Sequence, residues 1–144
     1  MRAALDEAAK AIAIGEVPIA ALVVQQEIIL ARSHNYRETW QDPTAHAEMI
    51  VIRAAAKALN SWRLTDTTLY VTVEPCAMCL GAIILARVPR VVFGAYDLKA
   101  GACGSVLDFT NEPKLNHRIA MVGGLLEEKS QQLLQQFFKQ LRTG

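Results

Sequence analysis

Two short runs, His46-Ala47-Glu48 and Cys76-Ala77-Met78-Cys79, lie in separate parts of the chain and together constrain its fold more than any other feature. One imidazole and two thiolates make three ligands of the kind that hold zinc. A closed structural zinc site needs four, so the set leaves one position for water. Glu48 is not needed as a ligand. Three ligands with a spare acid beside them are what metal-activated hydrolysis requires, the metal lowering the pKa of water and the acid moving protons. Any fold for this chain must therefore bring residue 46 against residues 76–79.

Local pattern suggests how. Residues 2–14 place Leu5, Ala8, Ala9 and Ile12 at helical spacing, and Gly15 stops that helix. Ile19 to Val24 is apolar throughout, as in a strand covered on both faces, and Ile28 to Ala31 returns as a second strand. Asp42-Pro43-Thr44 opens a helix running to about Leu59, with Thr44 expected as its N-cap. That helix is apolar nearly all round, which suits an interior.

Thr67 to Val73 reads as a β-branched strand, Pro75 to Ala86 as a helix, and Arg90 to Ala95 as the next strand. Leu98 to Pro113 is a loop with a short helix expected over Ser105 to Phe109. Ile119 to Gly123 reads as a last strand, and Leu126, Leu133, Leu134, Phe137 and Leu141 stripe a final helix. This order implies an α/β protein with a mixed sheet covered by helices. No repeat or linker interrupts residues 1–144, which are expected to form a single domain.

Cys76 and Cys79, at i and i+3 in a first helical turn, face the same way, and the positive end of the helix dipole favours their thiolates. His46 also falls in a first turn, so two helix mouths converge on the ion. His46 and Glu48 are two apart and would diverge in mid-helix. The pair works only at a helix end, which is a geometric demand on the structure. A redox dithiol, or half of a zinc knuckle, is the competing reading of C-x-x-C alone. A dithiol leaves His46 and Glu48 idle, and no second C-x-x-C closes a structural site. His34 and His117 read as satisfied surface or core residues, and Cys103 as a small buried side chain.

Bulk properties set limits. With 52% hydrophobic and 20% charged residues, the 144-residue chain is globular and long enough to bury roughly 70% of its unfolded surface. Its apolar stretches fall well short of the ~18–20 residues that span a bilayer, and a secretory signal is not expected, since no basic region followed by a long apolar run is seen. The odd count of three cysteines points to a reducing compartment, hence a cytoplasmic setting. A net charge of +1 neither demands nor excludes nucleic acid.

With these motifs in view, the chain resembles the zinc-dependent nucleoside deaminase superfamily, which carries H-x-E…P-C-x-x-C. It is closer still to bacterial tRNA adenosine deaminases, almost end to end. The residues that carry the likeness are Val17-Pro18-Ile19-Ala20-Ala21, Asn35, Asp42-Pro43-Thr44-Ala45-His46-Ala47-Glu48, residues 69–79, residues 91–95, residues 101–105 and Asn116-His117-Arg118.

The resemblance implies a three-layer α/β/α cytidine-deaminase-like fold with a five-stranded mixed sheet. It also implies one Zn2+ per subunit on His46, Cys76 and Cys79, with Glu48 as proton shuttle, and a homodimer acting on adenosine in the tRNA anticodon loop. It assigns Asn35 to the base, Thr44 and Ala45 to the pocket beside it, and Asp97 to a loop near the substrate backbone. Tyr96 stands where many members carry Arg.

Lys114, Arg118, Lys129, Lys139 and Arg142 outnumber Glu127 and Glu128 near the C-terminal end. The adjacent Phe137 and Phe138 cannot both face one core, so Phe138 is a candidate stacking surface for RNA. A solvated helix face or a subunit contact explains the same pattern. Two other functions remain open at this point. One is a deaminase of a free base or nucleoside on the same fold, and the other is a non-catalytic zinc-stabilised RNA-binding module, in which Glu48 would have no task.

Overall fold

Residues 20–23 are apolar because they form the inside of a sheet. Ala20, Ala21, Leu22 and Val23 are all buried in β1 (Ala20–Gln25), which has a strand on either side. In the computed structural model, which describes residues 1–115 and 117–143, five strands form one mixed sheet in the order β2-β1-β3-β4-β5. Asn116, in one of the runs matched above, and Gly144 lie outside the described residues.

β1 pairs antiparallel with β2 (Ile28–His34) across a turn in which Gln26 and Glu27 take positive φ, and antiparallel with β3 (Thr68–Val73). β3 and β4 (Arg90–Ala95) run parallel, as do β4 and β5 (Ala120–Val122). Helix α1 (Arg2–Ala13) packs on β1–β3 and meets α5 (Glu127–Thr143), which covers β3 and β4. Helix α3 (Ala47–Leu59) packs on β1 and β2 and meets α4 (Ala77–Leu85), the crossover between β3 and β4. The result is the expected three layers, with Leu64, Leu69, Val71, Leu80, Ile83 and Phe93 among the most buried side chains. Among the described residues, no helix is long and apolar enough to cross a membrane.

Two local expectations are corrected, and one element is added to those expected. A short helix over Arg37–Trp40, α2, has no clear periodic signal. No helix forms over 105–109. There, Gly104 N–H donates to Leu107 O, Val106 and Leu107 N–H donate to Gly101 O, and Cys103 bridges to Asp108. Nor is α3 buried all round: Ala47, Glu48, Val51 and Ala55 face inward while Arg53, Ala54 and Lys57 are exposed.

Because β3 and β4 are parallel neighbours, the segments leaving their carboxyl ends, 74–76 and 96–105, emerge side by side. Crevices at such ends are where open α/β sheets place ligands.

Candidate active site

Two of the three candidate metal ligands sit at helix N-caps, and the third, Cys79, lies in the first turn of α4 (Ala77–Leu85). His46 is the N-cap of α3, with extended backbone at φ −76° and ψ 150°, and Cys76 is the N-cap of α4, at φ −78° and ψ 176°. Neither makes the side-chain capping bond that Ser, Thr, Asp or Asn would supply there. Their donors turn to each other instead. His46 Nδ1 lies 3.6 Å from Cys76 Sγ and 3.6 Å from Cys79 Sγ.

A tetrahedral zinc ion with usual bond lengths holds its nitrogen and sulfur ligands about 3.6 Å apart. The two nitrogen–sulfur separations therefore match those of a zinc site, and all three donor atoms lie within 4.8 Å of one another.

Thr44, expected as the N-cap of α3, is not. Its N–H and hydroxyl both donate to Asp42 Oδ1, at 2.8 and 2.7 Å. With its hydroxyl held by Asp42 in an Asx turn, Thr44 leaves the helix to begin at Ala47. That shift meets the geometric demand noted above, since His46 precedes the helix while Glu48 lies in its first turn.

The corner's electrostatics follow from burial and proximity. Glu48 is 4% exposed, and loss of hydration pushes its pKa up to about 7. A carboxyl poised near neutrality both accepts and returns a proton readily. The Cys79 thiol donates to Cys76 and pulls the Cys76 pKa down to about 4, whereas Cys79, holding that shared proton and buried, is pushed far up. Contact with Cys76 raises His46 above its ordinary value. Binding a cation by both sulfurs would release the remaining proton.

Above this corner opens a cavity of about 220 Å³, lined by His46, Glu48 and Cys76, by Asn35 and Arg37 on one wall, and by Glu74, Asp97 and Ala100 on the other. Val17, Ile19 and Val73 supply apolar lining. Asn35 lines the cavity, and its Oδ1 accepts the Arg37 N–H at 3.0 Å. Asp97 lines the cavity, and its Oδ1 accepts the N–H groups of Lys99 and Ala100 at 3.0 and 3.1 Å, capping its own turn.

Thr44 and Ala45 lie next to His46 without lining the cavity; Ala45 is buried, its carbonyl accepting the Tyr36 N–H. Phe138 is 45% exposed on α5, set edge-on against the buried Phe137, and also lies outside the lining. Tyr96 turns away to meet Phe93 edge-on at 5.1 Å. His34 and His117 are satisfied as expected: His34 Nδ1 is 3.0 Å from Asn35 O, and His117 Nε2 is 2.7 Å from Val88 O. Cys103 is half-buried rather than enclosed, its thiol pushed up to about 12 by burial.

Sequence reasoning missed Arg37, Glu16 and Glu74. Glu16 is fully buried and accepts the Glu38 N–H at 3.1 Å and the Thr39 N–H and hydroxyl at 2.5 and 2.6 Å, so it holds α2 and the Arg37 wall in place. Acids followed by Val-Pro or Pro-Cys are ordinary loop composition. Their backbone partners leave no sequence signal.

A family model described as MafB19-like deaminase matches residues 1–142. A tRNA-specific adenosine deaminase of Bacillus subtilis (strain 168) is 51% identical over 142 residues, 99% of this chain and 88% of the relative. One from Aquifex aeolicus (strain VF5) is 46% identical over 144 residues, 100% and 95% of the two chains. A solved structure from studies of A-to-I editing by tRNA:A34 deaminases at the wobble position of transfer RNA is similar with a TM-score of 0.89 and 44% identity, covering 93% of this chain and 97% of the other. A guanine deaminase from Bacillus subtilis is more distant, at a TM-score of 0.64 and 31% identity over 99% and 91% of the two chains.

Proposed function

The chain belongs to the tRNA-specific adenosine deaminase family, and from that membership and the geometry of its metal corner we propose that it hydrolyses adenosine to inosine at the wobble position of a tRNA anticodon loop. The observation that carries this reading is the His46–Cys76–Cys79 cluster, with Glu48 in the first turn beside it, at the floor of a cavity. At about 220 Å³ the cavity is smaller than the ~300–1,000 Å³ of drug-sized sites, which supports entry of one base with its backbone left outside. A loop base is already accessible, so extruding it costs less than from a duplex.

One zinc ion held by His46, Cys76 and Cys79 would supply a water acidic enough to ionise near neutral pH. Glu48 would take a proton from the water that adds to the aminated ring carbon, and pass it to a ring nitrogen. It then takes the proton of the hydroxyl now on that carbon and passes it to the amino group, the C–N bond breaks, and ammonia leaves with the oxygen retained on the ring as a carbonyl. Asn35 is assigned to hydrogen-bond the base, with Thr44 and Ala45 shaping the loop that carries His46. Asp97 holds the turn beside the nucleotide backbone, and the exposed ring of Phe138 offers a stacking face to tRNA.

The reading extends to a single domain, a homodimer and a cytoplasmic setting. Leu85, 71% exposed on the apolar helix α4, supports a subunit contact.

Incubating the zinc-loaded protein separately with tRNA, free nucleosides and free bases tests the assignment. Inosine in tRNA, with no turnover of the free compounds, is the expected result. The likeness to a guanine deaminase favours the second reading, a free-base deaminase, and xanthine formed from guanine would replace the first with it.

A further inference from the structure

One wall of the cavity hangs from a single buried acid that the chemistry above does not use. Glu74, 3% exposed, directly follows β3 and lies two residues ahead of Cys76. Its Oε1 accepts the Asp97 N–H at 3.1 Å and the Ser105 hydroxyl. Its Oε2 accepts the N–H groups of Cys103 and Ser105, at 2.9 and 3.2 Å. Three amides and a hydroxyl from residues 97–105 thus converge on one carboxylate.

The loop is stitched to the same segment elsewhere, with Ala102 N–H donating to Pro75 O at 2.9 Å and Gly101 bridging to Cys76. A Cβ at Gly101 would come within 2.5 Å of Glu74 Oε2 and 2.6 Å of Asp97 O, so the carboxylate fills the space where a side chain would be. Buried amides that lose their acceptor are costly, which gives the loop one favoured position. The loop supplies Asp97 and Ala100 to the cavity.

We infer that Glu74 is a positioning residue for the substrate. By holding residues 97–105 it sets the gap between the Asp97–Ala100 wall and Cys76, and hence the slot through which the base and its flanking backbone enter. The tripeptide Glu74-Pro75-Cys76 carries both the anchor of the wall and a metal ligand, so slot width and metal position are tied together. The inference rests on the tRNA reading for the identity of the substrate.

The test is Glu74→Gln, which keeps the side chain's size and places an NH2 where an oxygen accepted N–H groups. Whichever way the amide turns, at least one of the Asp97, Cys103 and Ser105 N–H groups loses its acceptor. Zinc content should match the wild type, hydrogen exchange should quicken at residues 97–105, and KM for tRNA should rise about tenfold or more with a smaller change in kcat. Unchanged KM and unchanged exchange would overturn the inference. So would a lowered melting temperature with KM unchanged per zinc-loaded molecule, which marks a merely structural acid.

If Glu74→Gln does not fold, Ser105→Ala removes only the hydroxyl bond and should raise KM about threefold at unchanged kcat. No rise in KM there counts against the proposal. Failure of the wild type to edit tRNA would sink the functional reading instead. In that case, the exchange measurement and the KM ratio on whichever base is turned over still decide the role of Glu74.

Discussion

The floor and the walls of the cavity are built by opposite means. On the floor, side chains meet side chains: His46 and Cys76 occupy two helix N-caps, Cys79 and Glu48 lie in the turns that follow, and regular elements hold all four. In the walls, side chains meet backbone. Glu16 holds the short helix α2 at Glu38 and Thr39, and Glu74 holds the loop 97–105, each mainly through backbone N–H groups. The difference divides the labour. On the proposed function, the floor would bind a cation and move protons, while the walls would set what reaches it. Substitutions in the floor should therefore act on metal and turnover, and substitutions in the walls on substrate binding and local stability.

The sharpest way to break that division is in the floor itself. Cys79→Ala should lose zinc and activity together and lower the melting temperature, as read by elemental analysis, tRNA turnover and thermal unfolding. Glu48→Ala should keep zinc bound yet slow turnover by about 10²–10⁴-fold, the range expected when a general acid–base group is removed. Robust activity in that variant would refute the assigned role of Glu48.

Glu16 tests the wall on the opposite side from Glu74. Burial opposes its charge, but the hydrogen bonds from Thr39 and Glu38 more than offset this and hold its carboxyl below the ordinary value of 4.5. A folded-state pKa lowered in this way stabilises the protein above the unfolded value, and the contribution is lost as pH falls through the folded one. Glu16→Gln should therefore cost about 1–2 kcal/mol at pH 7 in urea unfolding, with kcat little changed. The gap from wild type should shrink as the pH is taken below 4.5. A gap that widens on acidification would reverse the sign and remove Glu16 from this role.

The smallest effect is expected farthest from the floor. Phe138→Ala should leave stability and zinc unchanged, because the ring is half exposed, and should raise KM for tRNA about fivefold if it stacks on a base. An unchanged KM would return Phe138 to the status of a partly exposed helix residue.

Much of this was legible beforehand, and the particular residues show why. The all-apolar run of β1 announced an inner strand, since only such a strand tolerates apolar residues on both faces. The meeting of His46, Cys76 and Cys79 was readable because residue types able to hold a metal are few and come at set spacings, and Glu48 stood out as the spare acid beside them. Thr44 misled because Thr is a common N-cap, and its engagement by Asp42 depends on a turn that pattern alone does not specify. The helix expected at 105–109 failed for a related reason: the amide and hydroxyl of Ser105 are taken up by a carboxylate distant in the chain.

What residue order determined on its own was chemistry: which atoms are able to bind a cation, which acid is spare, and which segments must be buried. Those are intrinsic properties of side chains and of periodicity. What only the folded arrangement decided was enclosure. The two helix ends meet because β2 and β3, each antiparallel to β1, point the same way and deliver the segments leading into α3 and α4 to one edge, and the walls stand because Glu16 and Glu74 find N–H groups far along the chain. A backbone amide is the same at every residue, so its choice of partner is written in space rather than in composition.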